Sequence, residues 1–206
     1  MRPVTLSLLL ANIAVFGLQQ ILGDSLILHF ALWPVGHVVI AGLDQPIGFE
    51  PWQLVTYSFL HGNFQHILFN MFALYMFGSG VETYLGSPKF ALLYFASVIS
   101  AALTQLLVVS GGEPGSVAPT LGASGGVFGL LLAFGWLFPR TRLTLIFPPI
   151  PMPAWLFVTL YGLVELASGV FGTQKGVAHF AHLGGMVGAF LVLQIWGRRP
   201  AGTPPA

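Results

Sequence analysis

The sequence predicts an all-α, polytopic membrane protein with six transmembrane helices, and three observations carry that expectation. Apolar residues make up 55% of the 206 and charged residues only 6%, where a soluble domain carries about a quarter charged. The apolar residues fall in six runs, each close to the roughly 20 residues that cross a bilayer as a helix. The seven Lys and Arg lie between or beyond these runs, never inside them. A net charge of +1 leaves no electrostatic footprint for nucleic acid. The absence of cysteine excludes disulfides and thiolate metal sites. By length this is one domain: residues 1–197 as the membrane domain, and 198–206 as a disordered, Pro-rich polar tail.

The first run, residues 4–22, follows Arg2. It is long for the apolar core of a signal peptide and has no small-x-small site before Gly23-Asp24, so it is read as a retained helix. The connection 23–63 is the longest. It holds Asp24, Asp44 and Glu50 but also Leu26, Ile27, Leu28, Phe30, Leu32 and Trp33. That mixture places it partly in the membrane interface, with Trp33 and Trp52 as aromatic anchors. The second run covers 64–85, the third 90–110, and the fourth, 123–138, is short. Pro148-Pro149-Ile150-Pro151-Met152-Pro153 reads as a stiff extended linker before the fifth run, 154–171. Gly172-Thr173-Gln174-Lys175-Gly176 is a short, glycine-flanked loop before the sixth, 177–196. No internal repeat suggests a transporter built from two halves.

With the N-terminus inside, Arg2, Lys89, Arg140, Arg142, Arg198 and Arg199 all face the cytoplasm and only Lys175 faces outward. That is a strong positive-inside signal, and it makes both termini cytoplasmic. Ser124 then stands roughly 24 Å above Arg140, and His182 roughly 24 Å above Arg198, on upright helices. In a hydrocarbon core about 30 Å thick, both lie at one level in the outer half.

Those two residues carry the chemistry. Ser124 sits in Gly122-Ala123-Ser124-Gly125-Gly126, and His182 in Ala178-His179-Phe180-Ala181-His182-Leu183-Gly184-Gly185. Hydroxyl and imidazole groups inside hydrocarbon are costly, and both are flanked by small residues that let helices approach closely. A serine is a weak nucleophile until a base takes its proton, and histidine is the usual base. An isolated intramembrane serine is more often a packing residue held by a backbone carbonyl, and an isolated histidine a structural hydrogen bonder. A third element changes that balance: His66 and Asn70, at i and i+4, share one face near the outward end of the second run. Two donors near a serine suit the oxyanion of a tetrahedral intermediate. At the cytoplasmic end of the same run, Gly78, Glu82 and Gly86 form one stripe at i, i+4, i+8. The glycines permit close packing there, and Glu82 needs a structural partner, for which Thr5 and Ser7 are candidates.

Together, Gly122-x-Ser124-Gly125, Ala181-His182-x-x-Gly185, His66-x-x-x-Asn70 and Gly78-x-x-x-Glu82-x-x-x-Gly86 resemble the rhomboid family of intramembrane serine proteases, of the minimal six-helix bacterial type. The resemblance covers essentially the whole chain. It implies Ser124 as nucleophile and His182 as general base, without a carboxylate. It implies His66, Asn70 and the Ser124 N–H as an oxyanion hole, and Gly122 as the residue that lets the preceding loop dip into the membrane. Gly122, Gly125, Gly185, Gly78, Glu82 and Gly86 are structural supports. The implied activity is endoproteolysis of single-pass transmembrane substrates near the outer boundary of the bilayer. No cofactor is needed, and the implied location is a bacterial inner membrane. The alternatives are an inactive rhomboid-like protein that binds membrane helices, or a small membrane transporter.

The chain departs from the family at Trp52-Gln53, where Trp-Arg is frequent, and at Ala189, where a glycine is frequent. Phe128, four residues after Ser124, is placed to stack under His182. His-Glu-x-x-His is absent. His179 and His182 would make half a metal site, but the sequence puts no carboxylate obviously beside them, so no metal is expected. An aspartyl mechanism is excluded because Asp24 and Asp44, the only aspartates, lie in the first loop. Glu165, roughly 18 Å above Pro153, is read as deeper than His182 and as a helix-packing residue.

Overall fold

A computed structural model describes residues 2–36, 38–39, 45–110, 118–144, 149–172 and 177–196. Helix α1 covers Pro3–Leu22, with Pro3 in the first turn, where its missing N–H has no intrahelical acceptor to satisfy. Helix α2 (Asp24–Phe30) follows at once, and the one-turn α3 (Gln53–Thr56) runs into a 3-10 turn at Tyr57–Phe59. The second apolar run is helical throughout but is not a single α-helix. Helix α4 (Phe64–Ala73) passes through a π-helical stretch at Leu74–Gly78 into α5 (Ser79–Leu85). Then come α6 (Ser87–Ser110) and α7 (Ser124–Leu137), a two-stranded ribbon of β1 (Arg142–Thr144) and β2 (Pro151–Pro153), and finally α8 (Ala154–Phe171) and α9 (His179–Trp196).

Helices α1, α6, α8 and α9 are each long and apolar enough to cross a membrane, which makes this an all-α polytopic membrane protein. The six-span expectation is met only in part. The run 64–85 is divided by its π stretch, and α7 has 14 residues, about 21 Å of rise against a core of about 30 Å. The extended proline linker, of which Pro148 lies outside the described residues, is in part a strand. Pro151–Pro153 pairs antiparallel with β1, Arg142 opposite Pro153 and Thr144 opposite Pro151. In a two-stranded ribbon both strands are edges, so prolines are tolerated. Residues 173–176 of the loop between α8 and α9 and the tail 198–206 lie outside the described residues.

Helix α7 is the central element, buried from Gly125 through Leu131 and again at Ala133 and Gly135. Helices α6 and α9 pack on it and on each other. Small residues set the spacing: a methyl group on Gly188 would stand 2.7 Å from Ser100 Cβ and 2.9 Å from the Ala96 carbonyl. Outward-facing Ile21, Leu107, Phe171 and Ile195 are exposed, as lipid-facing positions of a membrane bundle are.

The first loop is tied to the bundle by polar groups. Leu32 and Thr120 exchange two backbone hydrogen bonds of 2.9 Å, and Gly122 N–H donates to the Tyr57 carbonyl at 3.0 Å. Gln53 is buried and replaces the family's arginine with a group that both donates and accepts. Its Oε1 accepts from Trp33 N–H at 3.1 Å and Glu50 N–H at 3.2 Å, while its Nε2 reaches the His29 and Gly48 carbonyls at 3.5 Å. Trp52 is exposed and donates to the His29 carbonyl at 3.0 Å. Trp33 is no interfacial anchor: it is buried, and its indole N–H is taken by the Leu28 carbonyl at 3.0 Å and the Ile27 carbonyl at 3.3 Å.

At the opposite end, Glu82 is 1% exposed and accepts four hydrogen bonds. Val4 N–H (3.0 Å) and Ser87 Oγ–H (2.7 Å) reach Oε1, while Thr5 N–H (2.8 Å) and Thr5 Oγ–H (2.7 Å) reach Oε2. The carboxylate thus caps the first turn of α1 from another helix, where orphan N–H groups and the helix dipole favour a negative charge. Thr5 is a partner as expected. Ser87 takes the place proposed for Ser7. Gly78 admits α1, since a Cβ there would sit 3.2 Å from Thr5 Oγ1. Gly86 is not a packing glycine: no atom lies within 4 Å of a Cβ built on it, and its φ of 78° turns the chain from α5 into α6. Glu82→Ala should therefore cost roughly 3–5 kcal/mol of stability, because buried donors lose a charged partner. The check is thermal unfolding in detergent beside the reactivity of Ser124 per folded molecule. The first should fall and the second should not.

Candidate active site

Ser124 is the first residue of α7. The first backbone bond closing this helix runs from Val127 N–H to the Ala123 carbonyl at 3.0 Å, so the N–H groups of Ser124 and Gly125 precede the helical ladder. Gly122 makes this start possible. Its φ of 127° is one that L-residues with side chains avoid, and a Cβ there would stand 2.7 Å from His66 Nε2 and 3.7 Å from Ser124 Oγ. The glycine therefore clears the space between those two side chains. Helix α9 meets the same turn. A Cβ on Gly185 would overlap the Gly125 carbonyl, so α7 and α9 touch backbone to backbone one turn from His182.

That contact brings the two sequence-predicted residues together: Ser124 Oγ is 2.9 Å from His182 Nε2. Phe128, one turn below the serine, stacks on the His182 ring at 4.2 Å between centroids and 6° between planes. Tyr161 of α8 stacks in turn on Phe128 at 5.3 Å and 9°. The imidazole is thus held by a face contact as well as by edge hydrogen bonds.

The other edge of His182 holds what the sequence reading does not foresee. His182 Nδ1 lies 2.8 Å from Glu165 Oε2, and His179 Nδ1 lies 2.7 Å from the same oxygen. An ionised carboxylate only accepts, so with Glu165 ionised each Nδ1 carries a hydrogen and donates to it. Glu165 is not out of reach below His182. Rise per residue fixes heights only for upright helices, and a difference of about 6 Å is within the reach of tilt and two side chains. Tyr161, Glu165 and Ser168 recur at i, i+4, i+7 on α8, a one-face pattern that would have pointed all three toward the histidine helix.

The same contact supplies the carboxylate that the sequence does not obviously offer the histidine pair as a third metal donor. Glu165, His179 and His182 bring ligand atoms within 4.8 Å of one another. Donors on a tetrahedral zinc stand about 3.3 Å apart. The 2.7 and 2.8 Å separations here are hydrogen-bond lengths.

His66 is placed by the start of α4, where its N–H donates to the capping Asn63 side chain at 2.8 Å. Gly62 N–H points at His66 Nδ1 at 3.4 Å, and an accepting Nδ1 leaves the ring proton on Nε2, the atom beside Gly122. His61 packs edge-on against His66 at 5.1 Å, and burial pushes its pKa down to about 4, so no second charge sits behind His66. Asn70 Nδ2 donates to the His66 carbonyl at 3.0 Å. This bond braces the His66 turn and uses one of the two amide N–H donors.

The sequence is similar to those of known proteins. Residues 48–199 match the Rhomboid domain family. Over 132 residues, 64% of this chain and 38% of the relative, it is 36% identical to the mitochondrial Rhomboid protein 1 of Saccharomyces cerevisiae. Over 187 residues, 89% of this chain and 59% of the relative, it is 30% identical to the Rhomboid protease GlpG of Klebsiella pneumoniae. The chain thus spans from 38% to 59% of the length of these curated relatives. With more than half of its residues inside the family match, the chain belongs to the rhomboid family of membrane proteins.

Proposed function

We propose that the protein is a cofactor-free intramembrane serine endopeptidase, and the observation that carries the reading is the 2.9 Å contact between Ser124 Oγ and His182 Nε2. His182 accepts the Ser124 hydroxyl proton as the oxygen attacks the scissile carbonyl carbon. The carbonyl π electrons move to oxygen, and the tetrahedral oxyanion forms. In this reading His66 Nε2–H, the Ser124 N–H and the remaining Asn70 N–H donate to that charge. Collapse breaks the C–N bond, and His182 passes its proton to the departing amine. Water, deprotonated by the same imidazole, then hydrolyses the acyl-serine. Tight backbone contact at Gly185 and Gly125 and the aromatic stack on His182 support this reading, because both fix the base before substrate arrives.

The substrate class in this reading is a single-pass transmembrane protein, cut near the outer boundary of a bacterial inner membrane, with both termini of the enzyme cytoplasmic. A substrate helix must unwind to present its carbonyl, since a helical peptide bond in lipid keeps its hydrogen bonds internal. Helix-breaking residues near the cut follow from that requirement. Six membrane crossings belong to the same reading, with the run 64–85 and the short α7 as the second and fourth.

Incubating the purified protein with a generic transmembrane substrate tests it. Ser124→Ala and His182→Ala should each abolish cleavage, by about 10⁶-fold on the precedent of soluble triads, without loss of fold. A serine-directed fluorophosphonate should label Ser124 alone. Retention of more than a few per cent of parent activity in Ser124→Ala would sink the assignment. His66→Ala and Asn70→Ala should lower kcat more than they change KM, because the oxyanion exists only in the transition state. About 2.7–4 kcal/mol is the usual cost of one lost donor. A drop in thermal stability with unchanged turnover of the surviving enzyme would assign both residues to the scaffold instead.

A further inference from the structure

We infer that Glu165 is a positioning residue for His182, so that this chain works with a Ser124–His182–Glu165 triad in which His179 holds the carboxylate in place. The inference rests on the serine-protease reading and extends it to a residue of α8. Three observations carry it. The first is directional: the two nitrogens of His182 point to different partners, Nε2 to Ser124 Oγ at 2.9 Å and Nδ1 to Glu165 Oε2 at 2.8 Å. An Nδ1–H donated to a carboxylate leaves the lone pair of the neutral ring on Nε2, facing the hydroxyl. That is the tautomer a general base requires, and the carboxylate then faces the imidazolium that forms when the proton is taken.

The second observation is the surroundings. Glu165 is 7% exposed and is the one charged residue of α8. A carboxylate there needs donors, and the two imidazole N–H groups supply them. Helix packing alone would be served as well by an apolar residue, and Glu165 meets no lysine or arginine among the described residues. The third is the neighbouring histidine. His179 Nδ1, 2.7 Å from the same oxygen, restrains Glu165 from the outward side, so Oε2 is fixed between two rings of one helix. His179 itself has no contact with Ser124 among the described hydrogen bonds, and it acts on the reaction only through the carboxylate.

The test separates positioning from packing and from failure of the protease reading itself. Glu165→Gln keeps the size and one acceptor but removes the charge, and Glu165→Ala removes both. For parent and variants, the fluorophosphonate labelling rate of Ser124, kcat and KM on a transmembrane substrate, and thermal stability are measured on the same preparation. The ¹⁵N signals of the His182 ring are read in a Ser124→Ala background, where no turnover occurs. The inference expects labelling rate and kcat to fall by about 10²- to 10⁴-fold in Glu165→Gln, the range in which triad carboxylates act, with KM and stability near parent. It also expects a protonated Nδ1 on His182 with Glu165 present and a tautomer mixture in Ser124→Ala/Glu165→Ala. A smaller fall in labelling, or an unprotonated Nδ1 in the Ser124→Ala protein, overturns it. So does a change confined to stability, which would leave Glu165 a packing residue. A parent that neither cleaves nor labels would instead remove the protease reading on which the inference stands.

Discussion

The close approach of α9 to α7 is the constraint on which the remaining geometry depends. Ser124 and His182 come from helices separated by the ribbon and by α8, and their side chains are short. A 2.9 Å hydrogen bond between them demands backbones in contact, and that contact is made where Gly185 meets the Gly125 carbonyl. A β-carbon at Gly185 would push α9 outward and separate the pair, whatever the remaining side chains did. The same logic repeats around α9: Gly184 and Gly188 face Thr104 and Ser100 of α6, so the helix carrying the histidine is wedged between two neighbours and cannot slide away from one without striking the other. In lipid, where apolar burial gives no driving force between helices, this kind of packing is what association relies on.

A second constraint is that polar groups inside the bundle must find partners within it. Among the described residues much of it is met by local clusters, while the His61 ring nitrogens and the Tyr94 hydroxyl are buried without a hydrogen-bond partner. Gln19 exchanges two hydrogen bonds with the backbone of His61, 3.0 and 3.2 Å long, and so fastens α1 to the segment leading into α4. Gln53 does the same for the first loop, and Glu82 for the start of α1. Each cluster joins segments distant in sequence, so the loops near Ser124 are held by specific bonds rather than by apolar contact alone. The polar side chains near Ser124 therefore gather at one end of the bundle, and Glu82 closes the other.

Much of this was legible from residue type and spacing. The basic residues at the opposite ends of two helices were enough to put Ser124 and His182 at one depth, and the period of the helix put Phe128 under the imidazole. Thr5 was identifiable as a partner of Glu82 because the distribution of basic residues put both at the same end of their helices. What sequence could not supply was relative tilt and rotation. Counting rise along α8 separated Glu165 from His182 by a distance the folded helices close. Trp33 looked like an interfacial anchor because its neighbours are apolar, yet pairing of Leu32 with Thr120 turns it inward. The π-helical stretch at Leu74–Gly78 and the pairing of Pro151–Pro153 with β1 carry no periodic signal either, since both depend on what packs against them.

The two buried glutamates show how environment assigns different work to one residue type. Placing a carboxylate inside a membrane bundle costs several kcal/mol unless donors compensate it. Glu82 obtains its donors from two backbone N–H groups and two hydroxyls. None of these exchanges its proton in the neutral pH range, so the cluster can only hold helices together. Glu165 obtains its donors from two imidazoles, and one of those rings touches Ser124. Where Glu165 positions His182 as inferred above, the carboxylate faces the imidazolium as the proton is taken, and no lysine or arginine among the described residues pairs with it. The difference between the two sites lies not in burial, which is nearly complete at both, but in whether a group that satisfies the charge also reaches the serine.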